Sequence, residues 1–395
     1  MKRRIPFLPI VAFIVLFLAL NFYTLSGFET FSANPIIPLL FWSTVLAITA
    51  ALLSSFRRIE RHGMDTFFKV STHAFLILLT SELVFCIILI PGDIFRLFSG
   101  QGRSLNWVSF AFCMFVITIL IFVYGMIKGK YAYRVIKHVL HFEDLPDAFD
   151  GFTITQISDV HAGSFKNEKA IQKGIDLINE QKSDLFVFTG DLVNNKATEI
   201  QPWIKYFSKI KAPFGQFSIL GNHDYGDYVK WESEEKKRQN LQQLKNYHKE
   251  LGYKLLLDEH VELVKDGQRL ILAGVENWGL GFGQRGDLNR ALRQVNSTDF
   301  KILLSHDPSH WETEVKNLPS KIHLTLSGHT HGMQFGIEAF GIKWSPVKYR
   351  YAHWAGLKKE NGRVLNINRG FGFIGFSGRI GIWPEITVLE LRKGS

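Results

Sequence analysis

Residues 152–161 read FTITQISDVH, an alternating run of β type that ends in Asp159-Val160-His161. Side chains two apart on extended backbone point the same way, so Asp159 and His161 leave the end of one strand together. The ending recurs along the chain. DLFVFTGD (184–191) closes on Asp191, and FGQFSILGNHD (214–224) on Asn222, His223 and Asp224. FKILLSH (300–306) closes on His306, with Asp307 behind it, and IHLTLSGHTH (322–331) on His329 and His331. A single strand-end Asp is usually a turn or a helix cap. Five successive strand ends carrying His, Asp or Asn form a set. In layered sheets, groups just beyond the carboxyl ends of parallel strands converge on a ligand. Gly190, Gly221 and Gly328 let the backbone turn sharply there and approach it closely.

Between these runs lie helical signals. Ile171, Ile175 and Ile178 share one face of Glu168–Gln181. Helices are also predicted over about 197–209, 230–251 (charged) and 287–295. VELV (261–264) with RLILAGV (269–275) reads as a hairpin, and GRVLNINRG (362–370) and PEITVLELR (384–392) as strands. The pattern predicts a layered α/β domain of two packed mixed β-sheets with helices outside.

In this order and spacing, D-x-H, G-D, G-N-H-D, H and G-H-x-H resemble the calcineurin-like metallophosphoesterase superfamily, over about Phe152–Leu391. The closing segment (Asn368-Arg369-Gly370, Arg379, Pro384-Glu385-Ile386) is similar to the superfamily's membrane-anchored bacterial branch, which includes UDP-2,3-diacylglucosamine pyrophosphatases and related phosphodiesterases. The resemblance implies a four-layer domain and a dinuclear centre. Asp159, His161, Asp191 and His331 would bind one divalent ion; Asp191, as a bridge, with Asn222, His306 and His329 would bind the other. Oxygen and imidazole donors without thiolate suit Mn, Fe or Zn. Two such ions grip a phosphate and hold a bridging hydroxide for in-line attack. His223, next to a ligand but outside the ligand set, is the expected general acid, and Asp224 the expected orienter of its ring. Asp307 is expected behind a ligand histidine.

The first third of the chain is different. Ile5–Leu25, Ile36–Phe56, Val70–Ile90 and Trp107–Ile127 are each long and apolar enough to cross a bilayer. Lys2, Arg3 and Arg4 precede the first, but no small-residue cleavage site follows it, so a retained span is expected rather than a signal peptide. The expected organisation is a transmembrane domain over 1–127, a basic interfacial linker helix over 128–149, and the metallophosphoesterase domain over 150–395. Glu82 is the acidic residue near mid-bilayer, and reads either as a proton or ligand site or as a protonated group bonded through Ser81, Thr80 or His73. Cys86 and Cys113 read as small apolar core residues.

Charge supplies orientation. The chain of 395 residues has 46 Lys+Arg against 36 Asp+Glu, a net charge of +10. Residues 1–141 account for 13 basic and 5 acidic residues, and 142–395 for 33 and 31. Eleven basic residues sit at the N-terminal tail, the second-to-third loop and the segment after the fourth span, against Arg96 and Arg103 on the other side. The positive-inside rule then puts both termini and the catalytic domain in the cytoplasm of a multi-pass inner-membrane protein. A net of +2 on the soluble part gives no electrostatic footprint for nucleic acid. Two cysteines exclude a disulfide scaffold. The expected partners are membrane lipids and a phosphate ester, with a lipid-linked one favoured by the anchor. A nuclease, a protein phosphatase of the same fold, or a non-catalytic sensor of phosphorylated ligands are the alternatives. His248 and His260 are expected to be solvated, EEKKR (234–238) to be a wet helix face, and the glycine-rich loop Trp278–Gly283 to be a lid or an acyl grip.

Overall fold

The computed structural model describes residues 7–63, 65–339 and 341–394; Lys2, Arg3, Arg4 and the start of the first expected span lie outside them. The chain divides after Gly125 into two compact units. The first is four helices, α1 (Phe7–Phe28), α2 (Ile36–His62), α3 (Thr66–Ser99) and α4 (Leu105–Ile127), all long and apolar enough to cross a membrane. Their outward faces expose Leu16, Leu39, Leu46, Ile87 and Leu120, an arrangement suited to hydrocarbon rather than water. Helix α3 runs nine residues past the expected end, through Pro91. Asp93, in the extension, accepts hydrogen bonds from Tyr23 and Arg103, and Trp107 Nε1 donates to the Ile88 carbonyl. Glu82 is fully buried, and neither of its carboxylate oxygens has a hydrogen-bond partner among the described residues. Cys86 is buried, but Cys113 is exposed on the helix surface.

The second unit contains strands β1 (Arg134–Phe142), β2 (Thr153–Ile157), β3 (Leu185–Phe188), β4 (Gln216–Ser218), β5 (Lys254–Leu255), β6 (Glu259–Lys265), β7 (Gln268–Gly274), β8 (Trp278–Gly279), β9 (Gly283–Gln284), β10 (Lys301–Leu304), β11 (Leu324–Ser327), β12 (Ile337–Ala339), β13 (Ile342–Trp344), β14 (Gly356–Glu360), β15 (Arg363–Ile367) and β16 (Glu385–Lys393). Two six-stranded mixed sheets result, in the orders β1-β16-β2-β3-β4-β5 and β14-β15-β11-β10-β7-β6. Strands β2 to β5 are parallel, as are β7, β10, β11 and β15. Between the sheets, Ile154, Leu185 and Val187 of one face meet Leu272, Ile302, Leu304 and Leu324 of the other. The outer face of the first sheet is covered by α5 (Glu168–Glu180), through Ile171, Ile175 and Ile178, and by a short turn-and-helix segment ending in α6 (Ile204–Phe207). Helix α7 (Glu234–Glu250) completes that layer with Leu244 and Tyr247. Trp311, Val315 and Leu288 cover the second sheet. These are the four layers of the expected α/β domain.

Lys128–Phe142 is a correction. In place of an interfacial helix it forms a single 3₁₀ turn (Gly129–Tyr131) and then strand β1, parallel to β16 over nine residue pairs. Val135, Ile136 and Val139 are β-branched and suit a pleated surface, and Leu140 and Phe142 enter the core between the sheets. A short apolar run does not separate helix from strand by periodicity alone. The partner that decides the matter lies some 250 residues away in sequence, so the segment belongs to the sheet.

Candidate metal centre

The parallel strands end on one side, and the loops that follow turn abruptly. Asp159, His161, Asp191, His329 and His331 all adopt left-handed backbone, with φ of 53°, 47°, 62°, 71° and 50°. For residues with a Cβ this costs about 1–3 kcal/mol each, and it persists where surroundings over-determine it. Here they do. Asp159 N–H donates to the Gly190 carbonyl at 2.9 Å, His161 N–H to the Asp191 carbonyl at 3.1 Å, and Gly328 N–H to the His306 carbonyl at 2.9 Å. Gly328 admits no side chain, since a Cβ there would lie 1.9 Å from Ser158 Oγ and 2.4 Å from Asp159 Oδ2.

The turns bring the seven expected ligands into two adjoining groups. Asp159, His161 and His331 form one, and Asp191, His306 and His329 the other, with the donor atoms of each group within 4.8 Å of one another. Asn222 joins the second, its Oδ1 lying 2.9 Å from His329 Nδ1. Asp191 lies between the groups, with Oδ2 at 3.2 Å from His306 Nε2 and 3.6 Å from His161 Nε2. In the first group His331 Nε2 is 3.2 Å from Asp159 Oδ1 and 2.9 Å from His161 Nε2. Two facing ring nitrogens can share one proton or one cation. His306 Nε2 is buried with no hydrogen-bond partner among the described residues, although it faces a carboxylate. An orphaned ring nitrogen facing a carboxylate oxygen, among imidazole and carboxylate donors without thiolate, fits a divalent cation.

The charges follow from burial and pairing. Burial alone would raise Asp159 and Asp191, but the surrounding histidines hold both below the usual carboxylate range. Burial lowers His161 and His329. At His306 burial opposes charge, yet Asp191 and then Asp159 outweigh it and raise the imidazole to about 10. A proton there occupies the place of a cation.

The supports of the two groups differ. His306 Nδ1 lies 2.7 Å from the Thr189 carbonyl, and His329 Nε2 lies 3.4 Å from Asp307 Oδ2. Asp307 itself accepts from Ser309 N–H at 2.8 Å and Tyr351 O–H at 3.1 Å, as befits its expected place behind a histidine. By contrast His161 Nδ1 has no partner among the described residues, and His331 Nδ1 faces Arg379 Nη2 at 3.2 Å. Arg379 is fully buried; it donates to the Gly370 and Gly372 carbonyls, and burial lowers its guanidinium to about 10.

His223 sits beside both groups. Its N–H donates to Asp191 Oδ1 at 2.8 Å and its ring meets that of His161 edge-on at 5.0 Å. The ring is oriented by the Asn194 carbonyl, 2.8 Å from Nδ1, and not by Asp224 as expected. Asp224 accepts instead from the N–H groups of Gly221, Asp191, Leu192 and Val193, at 2.8–3.2 Å, and so braces the turn that carries Asp191. Burial, then the charge of Asp191, raise it to about 7 while those N–H groups pull it back.

A cavity of about 440 Å³ opens over these groups, lined by His161, Asp191, Asn222, His223, His329 and His331 and, opposite them, by apolar side chains and Arg350. The loop Trp278–Gly283 is a small β8–β9 ribbon that brings Phe282 to 4.5 Å from the His329 ring, and the Arg350 guanidinium lies 4.5 Å from the Phe282 ring. Asn194, Thr189, Tyr228 (whose hydroxyl accepts from Asn222 Nδ2 at 2.8 Å) and Arg379 were not expected here as supports. Two of them act through carbonyls, which have no sequence signature. Arg379 did leave a signal, as the lone basic residue of GFGFIGFSGR (370–379).

His248 corrects another expectation. It is fully buried, its Nδ1 2.9 Å from Ser218 Oγ, because Leu244, Tyr247, His248 and Leu251 form a buried stripe on an otherwise charged helix. His260 is half-buried, with Nδ1 2.8 Å from the Ala291 carbonyl.

Comparison with known proteins agrees with this geometry. The family described as calcineurin-like phosphoesterase matches residues 152–333, and a family described as the probable transmembrane domain of calcineurin-like phosphoesterases matches 3–130. The metallophosphoesterase YkuE of Bacillus subtilis is 32% identical over 260 residues, 65% of this chain and 85% of its own. A metallophosphoesterase of Aquifex aeolicus is 26% identical, covering 71% of this chain and 99% of its own. A transmembrane protein with metallophosphoesterase domain from Danio rerio is 25% identical, covering 70% and 62%. The chain belongs to the calcineurin-like metallophosphoesterases, as a membrane protein whose α/β domain is a metal-dependent phosphoester hydrolase.

Proposed function

We propose that the protein is a membrane-anchored phosphodiesterase or pyrophosphatase with a dinuclear centre. The observation that carries this reading is the position of Asp191 Oδ2, within 3.2 Å of His306 Nε2 and 3.6 Å of His161 Nε2, where one carboxylate serves both groups. Asp159, His161, Asp191 and His331 would hold one ion and Asp191, Asn222, His306 and His329 the other, as Mn, Fe or Zn. Bound there, divalent ions supply Lewis-acid polarisation of the phosphoryl oxygens and lower the pKa of water. The chain does the rest. Asp191 and Asp159 balance cationic charge in a dry setting, where it is felt strongly. His223, with Nδ1–H donated to the Asn194 carbonyl, presents Nε2 and, when that nitrogen is protonated, gives the Nε2 proton to the departing ester oxygen. Asp224 keeps the Asp191 turn rigid. The apolar wall of the cavity favours an ester carrying an apolar group, and a lipid-linked phosphate meets that description. The basic bias of the loops supports a cytoplasmic catalytic unit; a reporter fused after Ser395 that reads as exported would overturn this placement.

The test is hydrolysis of bis(p-nitrophenyl) phosphate by the detergent-solubilised chain with Mn²⁺. Turnover is expected, and Asp191→Ala should reduce it by about 10³-fold or more, since it removes a group shared by both ions. Absence of turnover with every divalent metal, or an unimpaired Asp191→Ala, overturns the reading.

A further inference from the structure

The segment from His331 to Arg350 has two sides. Inward, Met333, Val347, Tyr349 and Arg350 line the cavity above the histidines. Outward, the β12–β13 hairpin stands off the domain as an isolated two-stranded sheet. Its register pairs Ile337 with Trp344 and Ala339 with Ile342, so these four side chains share one face and Glu338 and Lys343 the other. The second face is fastened to the domain. Glu338 accepts from Arg369 Nε at 2.9 Å and Nη2 at 2.6 Å, and Lys343 Nζ donates to the Ala355 carbonyl at 2.5 Å. On the first face Trp344 is half-buried and the two isoleucines are open. Ile337 is 49% exposed and Ile342 56%; at the cavity mouth Met333 is 56% exposed and Tyr349 79%.

Isolated exposed apolar residues are ordinary, but several of them on a paired hairpin beside the cavity mark a contact surface. The charges around it identify the contact. Lys348 and Arg350 are exposed on the same segment, Arg350 at the cavity mouth, while Glu338, the acidic residue of the segment, is on the opposite face of the hairpin and paired with Arg369. Apolar and tyrosine side chains bordered by cations are the composition of surfaces that lie in the headgroup layer of anionic bilayers. A bilayer is also within reach, because only residues 128–133 separate the fourth membrane helix from β1. Such tethering replaces a free encounter with a local one.

We propose that the hairpin face Ile337–Ala339–Ile342, with Met333 and Tyr349, seats in the headgroup layer of an anionic bilayer. The cavity then opens onto lipid, and the ester is taken from the bilayer with its apolar part still embedded. The last step rests on the catalytic reading above; the docking itself does not.

The experiment uses the full chain, with Cys86 and Cys113 replaced by alanine, in vesicles of equal parts phosphatidylcholine and phosphatidylglycerol. A bimane label is placed at Ile342→Cys or, as control, at Gln242→Cys on the exposed side of α7. Nitroxide-bearing lipid should quench the first label several-fold more than the second, and less so in pure phosphatidylcholine. Ala339→Cys serves as the second reporter, with the thermal unfolding midpoint confirming that each variant is folded. Equal quenching at hairpin and control, or none at the hairpin, overturns the proposal. So does a label shielded only at high protein-to-lipid ratio, which would make a second copy the occupant. Turnover of bis(p-nitrophenyl) phosphate without quenching defeats the docking alone, and quenching without turnover defeats the catalytic reading alone.

Discussion

Asp159, His161 and His331 on one side, and Asp191, His306 and His329 on the other, are matched in residue type and mismatched in support. A histidine offers a lone pair at one nitrogen when its proton is kept on the other, and an acceptor behind the ring keeps it there. The Thr189 carbonyl does this for His306 and Asp307 for His329. Among the described residues the first group has no such acceptor. His161 Nδ1 is unpartnered among the described residues, and His331 Nδ1 meets a guanidinium, which donates and repels a cation. Groups alike in their Asp and His residues are therefore not alike in support. Cation titration of the apo-protein should resolve two classes of site, the tighter belonging to Asp191, Asn222, His306 and His329.

The largest effect that tests this contrast comes from a residue outside both groups. His223→Gln removes the proposed proton donor and leaves the proposed ligands in place, so turnover should fall by about 10²–10⁴-fold. Both classes of cation affinity should stay as they were. Steady-state kinetics beside calorimetric titration reads the two separately; a lost class of sites would assign His223 to one of the groups and break the contrast as drawn.

Asp307→Asn acts on one group only. It keeps the volume, and the contact to Tyr351 can survive, but the negative acceptor behind His329 is gone. Affinity in the tighter class should drop about 10–100-fold, as for other partners behind metal-bound histidines. The weaker class should not move. Equal losses in both classes, followed by Mn²⁺ electron paramagnetic resonance, would mean that the groups behave as one unit through Asp191.

The difference between the groups was not written in the motifs. Asp159-Val160-His161 and Gly328-His329-Thr330-His331 carry strand-end spacing; alternation marked β2, and β3, β10 and β11 stood out because buried parallel strands leave short apolar runs in the chain. Four apolar stretches likewise announced the membrane helices. What escaped depends on distant backbone. The strand identity of Arg134–Phe142 comes from β16, the orientation of His223 from a carbonyl at Asn194, and the bracing by Asp224 from amides that only a folded turn aligns. Composition misled at His248, where a charged helix hides a buried stripe.

His248 also supplies the smallest test, from outside the centre. The histidines of the two groups lie among carboxylates, whereas His248 is buried against Ser218 with no acid to stabilise a charge. Burial lowers it to about 3. Its folded pKa is thus below the unfolded value near 6.5, so the folded chain binds fewer protons than the unfolded chain between these values. The stability contribution is complete above about pH 6.5 and declines as pH falls toward 3, by about 1.4 kcal/mol per pH unit. His323, buried against Phe300 and lowered by burial to about 4, adds a similar slope over a narrower window. His248→Gln keeps a polar group for Ser218 and removes the titration. The unfolding midpoint of the variant should therefore fall less between pH 7 and about pH 5 than that of the parent, by about one proton's worth of slope. If the two slopes coincide, the acid-sensitive proton resides elsewhere, in His323 or in the histidine groups themselves. Repeating the measurement in Asp307→Asn then tells which group takes it up.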